Sequence, residues 1–264
     1  MLISKSNSTS DNYNCLLYVK KDISTFDFPP FIKNMGNSVF FNCSSLTQIT
    51  IPSFLTYIGN WVFSKCSSLV QITIPSSVTY IGNHAFSFCS SLAQITIPSS
   101  VTYIGKHAFN RCLSLAQVTF ESPSSLQLIN EFSFYQCQSL VQVTIPSSVV
   151  SIESQAFFNC SSLEQLFFES PSSSITLIGD SAFYKCSSLT DIIIPSSVNT
   201  IGDSAFGGCS LLTDVTVPSS VSSLGKNSFS GCHSLNQITI PASVDQYYIG
   251  IIPNKFRKIL INKI

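Results

Sequence analysis

A repeat of about 23 residues is the feature that most constrains how this 264-residue chain can fold. Nine of the ten cysteines follow one another at intervals of 23 residues, with one interval of 25 and one of 26. They are Cys43, Cys66, Cys89, Cys112, Cys137, Cys160, Cys186, Cys209 and Cys232. A phenylalanine stands three residues before each of them, from Phe40 to Phe229. Residues that recur at a fixed interval occupy equivalent places in a repeated structural unit.

One copy, SLAQITIPSSVTYIGKHAFNRC at residues 91–112, shows the parts of the repeat. Its LxxIxI portion alternates with a period of two and is rich in β-branched residues, which predicts a short strand. Pro98 ends that strand, because proline lacks the amide that would continue a ladder. A glycine recurs at the position of Gly105, which predicts a left-handed backbone conformation there. Glu153 replaces this glycine in one coil, where we expect local backbone strain. The AFxxC portion predicts a 3₁₀ or single helical turn.

A single repeat cannot bury its own apolar edge, so consecutive coils must stack, each strand pairing in parallel with its equivalent in the next coil. The sequence therefore predicts a repeat solenoid of 23-residue coils. A parallel β-sheet forms one face, and short 3₁₀ or irregular turns form the other. The apolar content of 44% is enough for a continuous core and excludes a disordered chain.

The pattern L-x-x-I-x-I-P-x-x-V-x-x-I-G-x-x-A-F-x-x-C resembles the BspA-like class of leucine-rich repeats, over roughly residues 23–250. The resemblance implies a solenoid of leucine-rich-repeat type. Members of this class are often found on microbial cell surfaces and are associated with adhesion to host proteins or to other cells. The resemblance therefore implies a non-enzymatic protein-recognition scaffold, similar to a surface antigen or adhesin.

The two ends depart from the repeat. The chain divides into an N-terminal tail with a capping strand at 1–22, the solenoid at 23–250 and a C-terminal cap or tail at 251–264. We expect residues 1–12 to form an unpaired tail, and Cys15 to Val19 to form a strand that covers the open end of the stack. Residues 254–264 alternate basic and apolar side chains, which predicts a capping strand or, alternatively, a segment for a membrane surface or an anionic partner.

Insertions of the same sequence, FESPSS, lengthen two coils at residues 120–125 and 168–173. They lie two coils apart, so we expect them to project from one edge about 10 Å from each other. Each presents a carboxylate, Glu121 or Glu169. Insertions on one side of a solenoid are typical of a binding side, with tolerated loop variation as the alternative.

The cysteines and histidines predict neither a metal nor a cofactor. The cysteine series lies in one inward column beside phenylalanine, which favours buried, reduced core thiols over disulfides. His84 and His107 are stacked neighbours flanked by Trp61 and Phe132, which predicts a partly exposed aromatic ladder, because two ligands do not make a metal site. We expect Glu131 to approach His107 as an ordinary surface pair.

Aromatic residues recur outside the core in two runs of consecutive coils. We name these residues, Tyr57, Tyr80, Tyr103, Tyr135, Phe158 and Tyr184, as candidates for protein binding. The first run stands beside inward isoleucines, so its side chains point outward, and the second lies on the AFxxC side. Stacked tyrosines are typical of recognition patches, with packing between coils as the alternative.

The outward strand positions also recur, as two columns of polar residues. The Thr column contains Thr50, Thr73, Thr96, Thr119, Thr144, Thr216 and Thr239. The Gln column contains Gln48, Gln71, Gln94, Gln117, Gln142, Gln165 and Gln237. Asp191 and Asp214 interrupt the Gln column, and we name both as candidate binding residues.

The charge pattern restricts the kinds of partner. Charged residues make up only 10% of the chain and the net charge is zero, so the basic footprint of a nucleic-acid-binding protein is absent. The segment from Glu121 to Asp214, however, contains nine acidic residues and only one basic residue, Lys185, so its net charge is −8. This half of the chain predicts an acidic surface that attracts a basic protein partner or a cation.

The sequence favours a binding protein over an enzyme. It contains none of the motifs HExxH, GxxxxGK[ST], GxGxxG or GxSxG, and its serines recur as turn residues. A cell-surface location follows from the family resemblance alone. The alternative is an intracellular leucine-rich-repeat adaptor, because no secretory signal or membrane-spanning stretch is visible and reduced cysteines suit a reducing compartment. Self-association through an uncapped end is a further possibility.

Overall fold

The structure, a computed structural model, is a solenoid of parallel strands with coils of about 23 residues. It describes residues 2–5, 13–170, 173–242, 244 and 260–263. In chain order the strands are β1 (Leu2–Lys5), β2 (Tyr13–Tyr18), β3 (Asn34–Met35), β4 (Gln48–Thr50), β5 (Tyr57–Ile58), β6 (Gln71–Thr73), β7 (Tyr80–Ile81), β8 (Gln94–Ile97), β9 (Tyr103–Ile104), β10 (Gln117–Phe120), β11 (Leu128–Ile129), β12 (Gln142–Ile145), β13 (Ser151–Ile152), β14 (Gln165–Phe168), β15 (Leu177–Ile178), β16 (Asp191–Ile193), β17 (Thr200–Ile201), β18 (Asp214–Thr216), β19 (Ser223–Leu224), β20 (Gln237–Ile240) and β21 (Leu260–Lys263).

Each coil from β4 to β19 contributes two strands, so the solenoid has two sets of parallel ladders. The longer strands, which are the even-numbered ones from β4 to β20, lie along the predicted sheet side in two paired groups, β4 with β6 and β8 to β20. Equivalent residues lie opposite each other, such as Gln94 beside Gln117. The two-residue strands that end in Ile58, Ile81 and Ile104 pair in the same way. This second ladder was not predicted, because two residues are too few to show a period in sequence.

The interior is a set of stacked columns. The phenylalanine rings from Phe40 to Phe229 stack on one another, with centroids of adjacent rings 5.1–5.4 Å apart. The cysteines beside them are all free, and each thiol from Cys66 onward donates to the carbonyl oxygen of a phenylalanine in the preceding coil, as Cys112 Sγ does to Phe86 O at 3.1 Å. Burial raises the pKa of these thiols, that of Cys160 to about 12, which keeps the proton that the hydrogen bond requires.

The AFxxC portion lies in a run of overlapping tight turns, and the predicted 3₁₀ or helical turn was wrong. In one coil Ala108 N–H donates to Gly105 O (3.2 Å) and Cys112 N–H donates to Phe109 O (3.2 Å). The third residues of these turns, His107 and Arg111, have φ of 57° and 58°. A 3₁₀ helix requires φ between about −50° and −70° at every residue, so these turns cannot be helical.

The recurrent glycine serves close packing between coils, and the predicted left-handed backbone was wrong at this position. Among the described glycines only Gly208 and Gly231 have positive φ, and neither belongs to this column. A Cβ atom on Gly105 would lie 2.5 Å from the backbone nitrogen of Asn83 in the preceding coil. Glycine is therefore needed because two backbones approach each other more closely than a side chain permits.

Two coils replace this glycine without backbone strain. Glu153 does not have positive φ, so the strain predicted there is absent. Its N–H donates to Ile129 O at 2.9 Å, the bond that the glycine N–H makes in other coils. Asn130 instead uses its side-chain Nδ2, which donates to Ile104 O at 2.7 Å. The equivalent isoleucine carbonyl oxygen therefore accepts a hydrogen bond in both coils, from a backbone N–H of Glu153 in one and from the side chain of Asn130 in the other.

Both ends of the stack carry additional strands. β2 pairs in parallel with β3 and buries Leu16, so it covers the first coil. The unpaired tail expected at residues 1–12 was wrong for residues 2–5, which form β1 antiparallel to β2. At the other end β21 pairs in parallel with β20. Residues 6–12 and 245–259 lie outside the described residues, so most of the basic segment expected at 254–264 is not described.

Candidate protein-binding surface

The outward sides of the longer strands form a continuous surface, which we call the strand face. Residues of the Gln column and of the Thr column are exposed from β4 to β18, while the residue between them in each strand is buried. Parallel pairing sets equivalent side chains about 4.8 Å apart, so each column is a regular row of amide or hydroxyl groups. Such a row offers many hydrogen bonds and little charge.

Three shallow concavities lie along the strand face. Two have volumes of about 300 and 290 Å³, over β4 and β6 and over β10 and β12. The third, of about 640 Å³, lies over β16, β18 and β20 and is lined in part by Asp191, Ile193 and Asp214. The largest of these three concavities therefore coincides with the interruption of the Gln column.

The Thr column is interrupted in the same region. Phe167 and Ile193 take its place in adjacent strands, and their side chains are 46% and 85% exposed. Asp214 stands opposite Asp191 in the ladder of β16 and β18. We call Phe167, Ile193, Asp191 and Asp214 the apolar-acidic patch. Sequence analysis found the two aspartates but missed Phe167 and Ile193, although the gap of two threonines in the Thr column was a visible signal.

The carboxylates of the two insertions are engaged within the protein. Glu169 Oε1 accepts from Ser122 Oγ at 2.7 Å, so the insertions touch, and Glu169 Oε2 accepts from Ser147 N–H at 2.9 Å and from Ser147 Oγ at 3.0 Å. The Ser147 N–H, followed by the two hydroxyls, lowers the pKa of Glu169. Glu121 accepts from Ser99 N–H at 3.3 Å. These contacts tie neighbouring coils together at the edge of the strand face.

The tyrosines of the first aromatic run lie in the short-strand ladder, away from the strand face. The rings of Tyr80 and Tyr103 stack at 4.8 Å, and Tyr80 is 37% exposed. Tyr57 turns toward the first coil and donates its hydroxyl to Met35 O at 2.9 Å. Partial burial raises the pKa of Tyr57 and Tyr80. Tyr57 thus links two coils through its hydroxyl group. The stacked rings of Tyr80 and Tyr103 are the part of this run that solvent can reach.

The second aromatic run lies on the turn side. Tyr135, Phe158 and Tyr184 are half-buried and stack at 4.9 and 5.1 Å. A Cβ atom on Gly207, the next residue of that column, would lie 2.9 Å from the Tyr184 ring. The last ring therefore covers the following coil, which is a packing role between coils.

The predicted ladder of Trp61, His84, His107 and Phe132 is present. Its rings stack at 3.7, 4.5 and 4.5 Å. Burial, and then the neighbouring His107, lowers the pKa of His84 to about 4. Burial also lowers the pKa of His107. Glu131 approaches His107 as expected, since His107 N–H donates to Glu131 O at 3.1 Å and the Glu131 charge opposes the lowering of the His107 pKa. The Glu131 carboxylate forms its ion pair with Lys106 Nζ at 2.9 Å.

The candidate residues therefore separate into three places. The apolar-acidic patch and the insertion carboxylates lie on or beside the strand face, and the two aromatic runs lie on other sides of each coil. Among the residues described, no group of three or more His, Cys, Asp or Glu side chains is arranged to hold a metal ion. The same residues contain no helix of the length and apolarity needed to span a bilayer. The chemistry of the strand face is that of hydrogen bonding, with one apolar and negatively charged region.

The chain is similar to several solved structures of leucine-rich repeat proteins. A leucine-rich repeat protein of T. pallidum is 25% identical, with a TM-score of 0.53 over 68% of this chain and 85% of that chain. One from Eubacterium ventriosum is 19% identical, with a TM-score of 0.55 over 86% of this chain and 60% of that chain. One from Bacteroides ovatus is 25% identical, with a TM-score of 0.46 over 92% of this chain and 84% of that chain. The first two support the solenoid fold.

Family membership rests on the repeat itself. The model of the BspA type leucine rich repeat region matches in 6 copies, over residues 13–127 and 119–236. A comparison with the curated proteins finds no match. Repeat proteins of this type are generally non-enzymatic scaffolds for protein interaction. Matching repeats, stacked phenylalanines and parallel ladders lead to one conclusion: the chain belongs to the BspA-type leucine-rich repeat family.

Proposed function

We propose that this chain is a cell-surface recognition scaffold, similar to an adhesin, which binds proteins of a host or of neighbouring cells through its strand face. The observation that carries the proposal is the continuous, exposed strand face, with three concavities over the same rows of side chains. The surface location is supported by the resemblance to a family often found on microbial cell surfaces.

The strand face suits protein binding because it is held rigid before any partner arrives. The buried residue of each strand beneath it and the parallel ladders fix the spacing of the outward side chains. Little conformational entropy is then lost when a partner binds, so modest contacts yield useful affinity. Amide and hydroxyl rows also desolvate at lower cost than charges, which favours a wide and mostly neutral interface.

Binding is tested with the purified chain, fluorescently labelled and titrated onto intact cells of the source organism and of a host. We expect saturable binding that is lost when the cells are treated with protease. The variant Thr96→Lys with Thr144→Lys places two bulky cations on the strand face at exposed positions and should reduce binding at least tenfold. The control Thr56→Lys with Gln127→Lys makes the same charge change at exposed positions beside the short strands and should bind normally. Absence of saturable binding, or equal binding of both variants, would overturn the proposal.

Location is tested separately, by antibody staining of the native protein in intact and in permeabilised cells. We expect staining of intact cells. Staining only after permeabilisation would overturn the surface location and favour an intracellular adaptor. The cysteines do not decide between these locations. Thiols that are fully buried, as those of Cys89 and Cys112 are, stay inert in an oxidising compartment as well as in a reducing one.

A further inference from the structure

Large apolar side chains are exposed at one place on the strand face. Within the described longer strands, Phe167 and Ile193 are the only outward apolar residues of large size that are exposed. The register that pairs Gln165 with Asp191 sets them at equivalent positions of β14 and β16. Every other longer strand has threonine at this position. Covering exposed apolar surface is favourable, so this pair is suited to a partner with apolar side chains.

Two carboxylates border the apolar pair. Asp191 lies two residues before Ile193 on the same side of β16, and the ladder sets Asp214 opposite Asp191. Like charges directly opposite each other in a sheet are destabilising. Neither carboxylate has a hydrogen-bond or ion-pair partner among the residues that the structure describes. A cationic group from outside the chain would relieve this repulsion.

The space beside the patch is sufficient for a peptide segment. The concavity of about 640 Å³ continues from Asp191 and Ile193 over Asp214 and Thr216 to Gln237 and has about twice the volume of either other concavity. Thr216 and Gln237 add neutral hydrogen-bonding groups at its far side. The recess therefore combines apolar, anionic and neutral polar walls.

We propose that the apolar-acidic patch binds a segment of a partner protein in which arginine or lysine alternates with aliphatic residues. The inference rests on the proposed function and names the partner chemistry of its strand face. One guanidinium group has enough donors to bond to both Asp191 and Asp214. The aliphatic side chains of the segment then cover Phe167 and Ile193. Nucleic acids and anionic lipids are disfavoured by the two negative charges.

The test uses the full chain and fluorescein-labelled octapeptides of defined composition. The probe is Gly-Arg-Leu-Arg-Leu-Arg-Leu-Gly, compared with peptides in which glutamate replaces arginine or serine replaces leucine. We expect the probe to bind at least tenfold more tightly than either comparison peptide, and less tightly at high salt. Equal affinities for the three peptides would overturn the proposal.

The variants restore the regular columns at the patch. Asp191→Gln with Asp214→Gln, and separately Phe167→Thr with Ile193→Thr, should each weaken binding of the probe at least tenfold. The matched control, Glu164→Gln with Val141→Thr, removes one exposed carboxylate and one exposed aliphatic group outside the concavity and should bind the probe normally. Equal binding by all variants would place the peptide elsewhere and overturn the proposal.

The same variants separate this inference from the proposed function. Cell binding that persists when probe binding is lost would show that the scaffold acts through another part of the strand face, which overturns the patch as its binding site. Probe binding by a chain that does not bind cells would support the patch and overturn the surface function. Concentration-dependent dimers that are lost in the Phe167→Thr with Ile193→Thr variant, without probe binding, would identify a second copy as the occupant instead.

Discussion

The coils before residue 120 and those after residue 160 share one interior and differ on the strand face. Phe86 and Phe206 occupy equivalent places in the ring stack, and Cys89 and Cys209 make equivalent hydrogen bonds. The strand face of the first group has an unbroken Gln column and Thr column, whereas the second has the apolar-acidic patch. The repeat requires the same buried residues in every coil. Specificity for one partner can therefore arise only from the side chains at the outward positions.

The largest loss of stability should come from a cavity in the shared interior. Phe109→Ala removes a fully buried ring that stacks between Phe86 at 5.1 Å and Phe134 at 5.2 Å. We expect a loss of about 3–5 kcal/mol in the free energy of unfolding, because the adjacent rings cannot close the cavity. Tyr80→Ala, at an exposed ring, should cost less than about 1 kcal/mol. Chemical denaturation of both variants measures the difference, and the reverse order would contradict the assignment of inward and outward positions.

A second, smaller effect should come from the contact between coils. Gly105→Ala places a Cβ atom 2.5 Å from the Asn83 backbone nitrogen, so the coils must separate locally. We expect a loss of about 2–3 kcal/mol. Glu153→Ala, at a coil that already carries a side chain at this position, should cost less than about 1 kcal/mol. Thermal unfolding of the two variants tests this, and equal losses would argue against close packing as the reason for glycine.

These two kinds of residue also show what sequence can predict. The phenylalanine and cysteine columns were predictable, because burial and period act at every coil. The function of Gly105 was not, because glycine is selected both by positive φ and by close contact, and only the positions of Asn83 and its neighbours distinguish them. In the same way, the sequence showed that Asp191 and Asp214 interrupt a column and that two threonines are missing beside them. It did not show that Phe167 and Ile193, at equivalent positions, are 46% and 85% exposed, because that difference depends on the side chains packed around each.

A pH-dependent effect should distinguish the early coils from the late ones, because the histidine ladder lies only in the former. Burial lowers the pKa of His84 to about 4 and also lowers that of His107, while Glu131 opposes and Lys106 adds to the shift of His107. The unfolded chain therefore binds more protons between pH 6.5 and 4, so stability falls as the pH falls through this range.

The double variant His84→Phe with His107→Phe tests this assignment. Its rings can stack as Phe132 does, and it should lose less stability than the native chain between pH 6.5 and 4. Both proteins keep the same carboxylates, so the difference between their unfolding midpoints at each pH isolates the histidines. Parallel loss of stability in the two proteins would show that the histidines are not the cause.

The smallest effect on stability should come from moving the patch to the early coils. Thr73→Phe, Gln94→Asp, Thr96→Ile and Gln117→Asp reproduce the apolar-acidic patch over β6, β8 and β10. These positions are exposed, so each change should alter the free energy of unfolding by less than about 0.5 kcal/mol. The moved patch, in a chain whose own patch carries Asp191→Gln and Asp214→Gln, should restore binding of the arginine-leucine octapeptide to within about threefold of the native affinity, a difference of about 0.7 kcal/mol. Fluorescence anisotropy measures this affinity. A stable chain that fails to bind would show that recognition needs more of the late coils than these four side chains, such as the wider concavity over β16, β18 and β20.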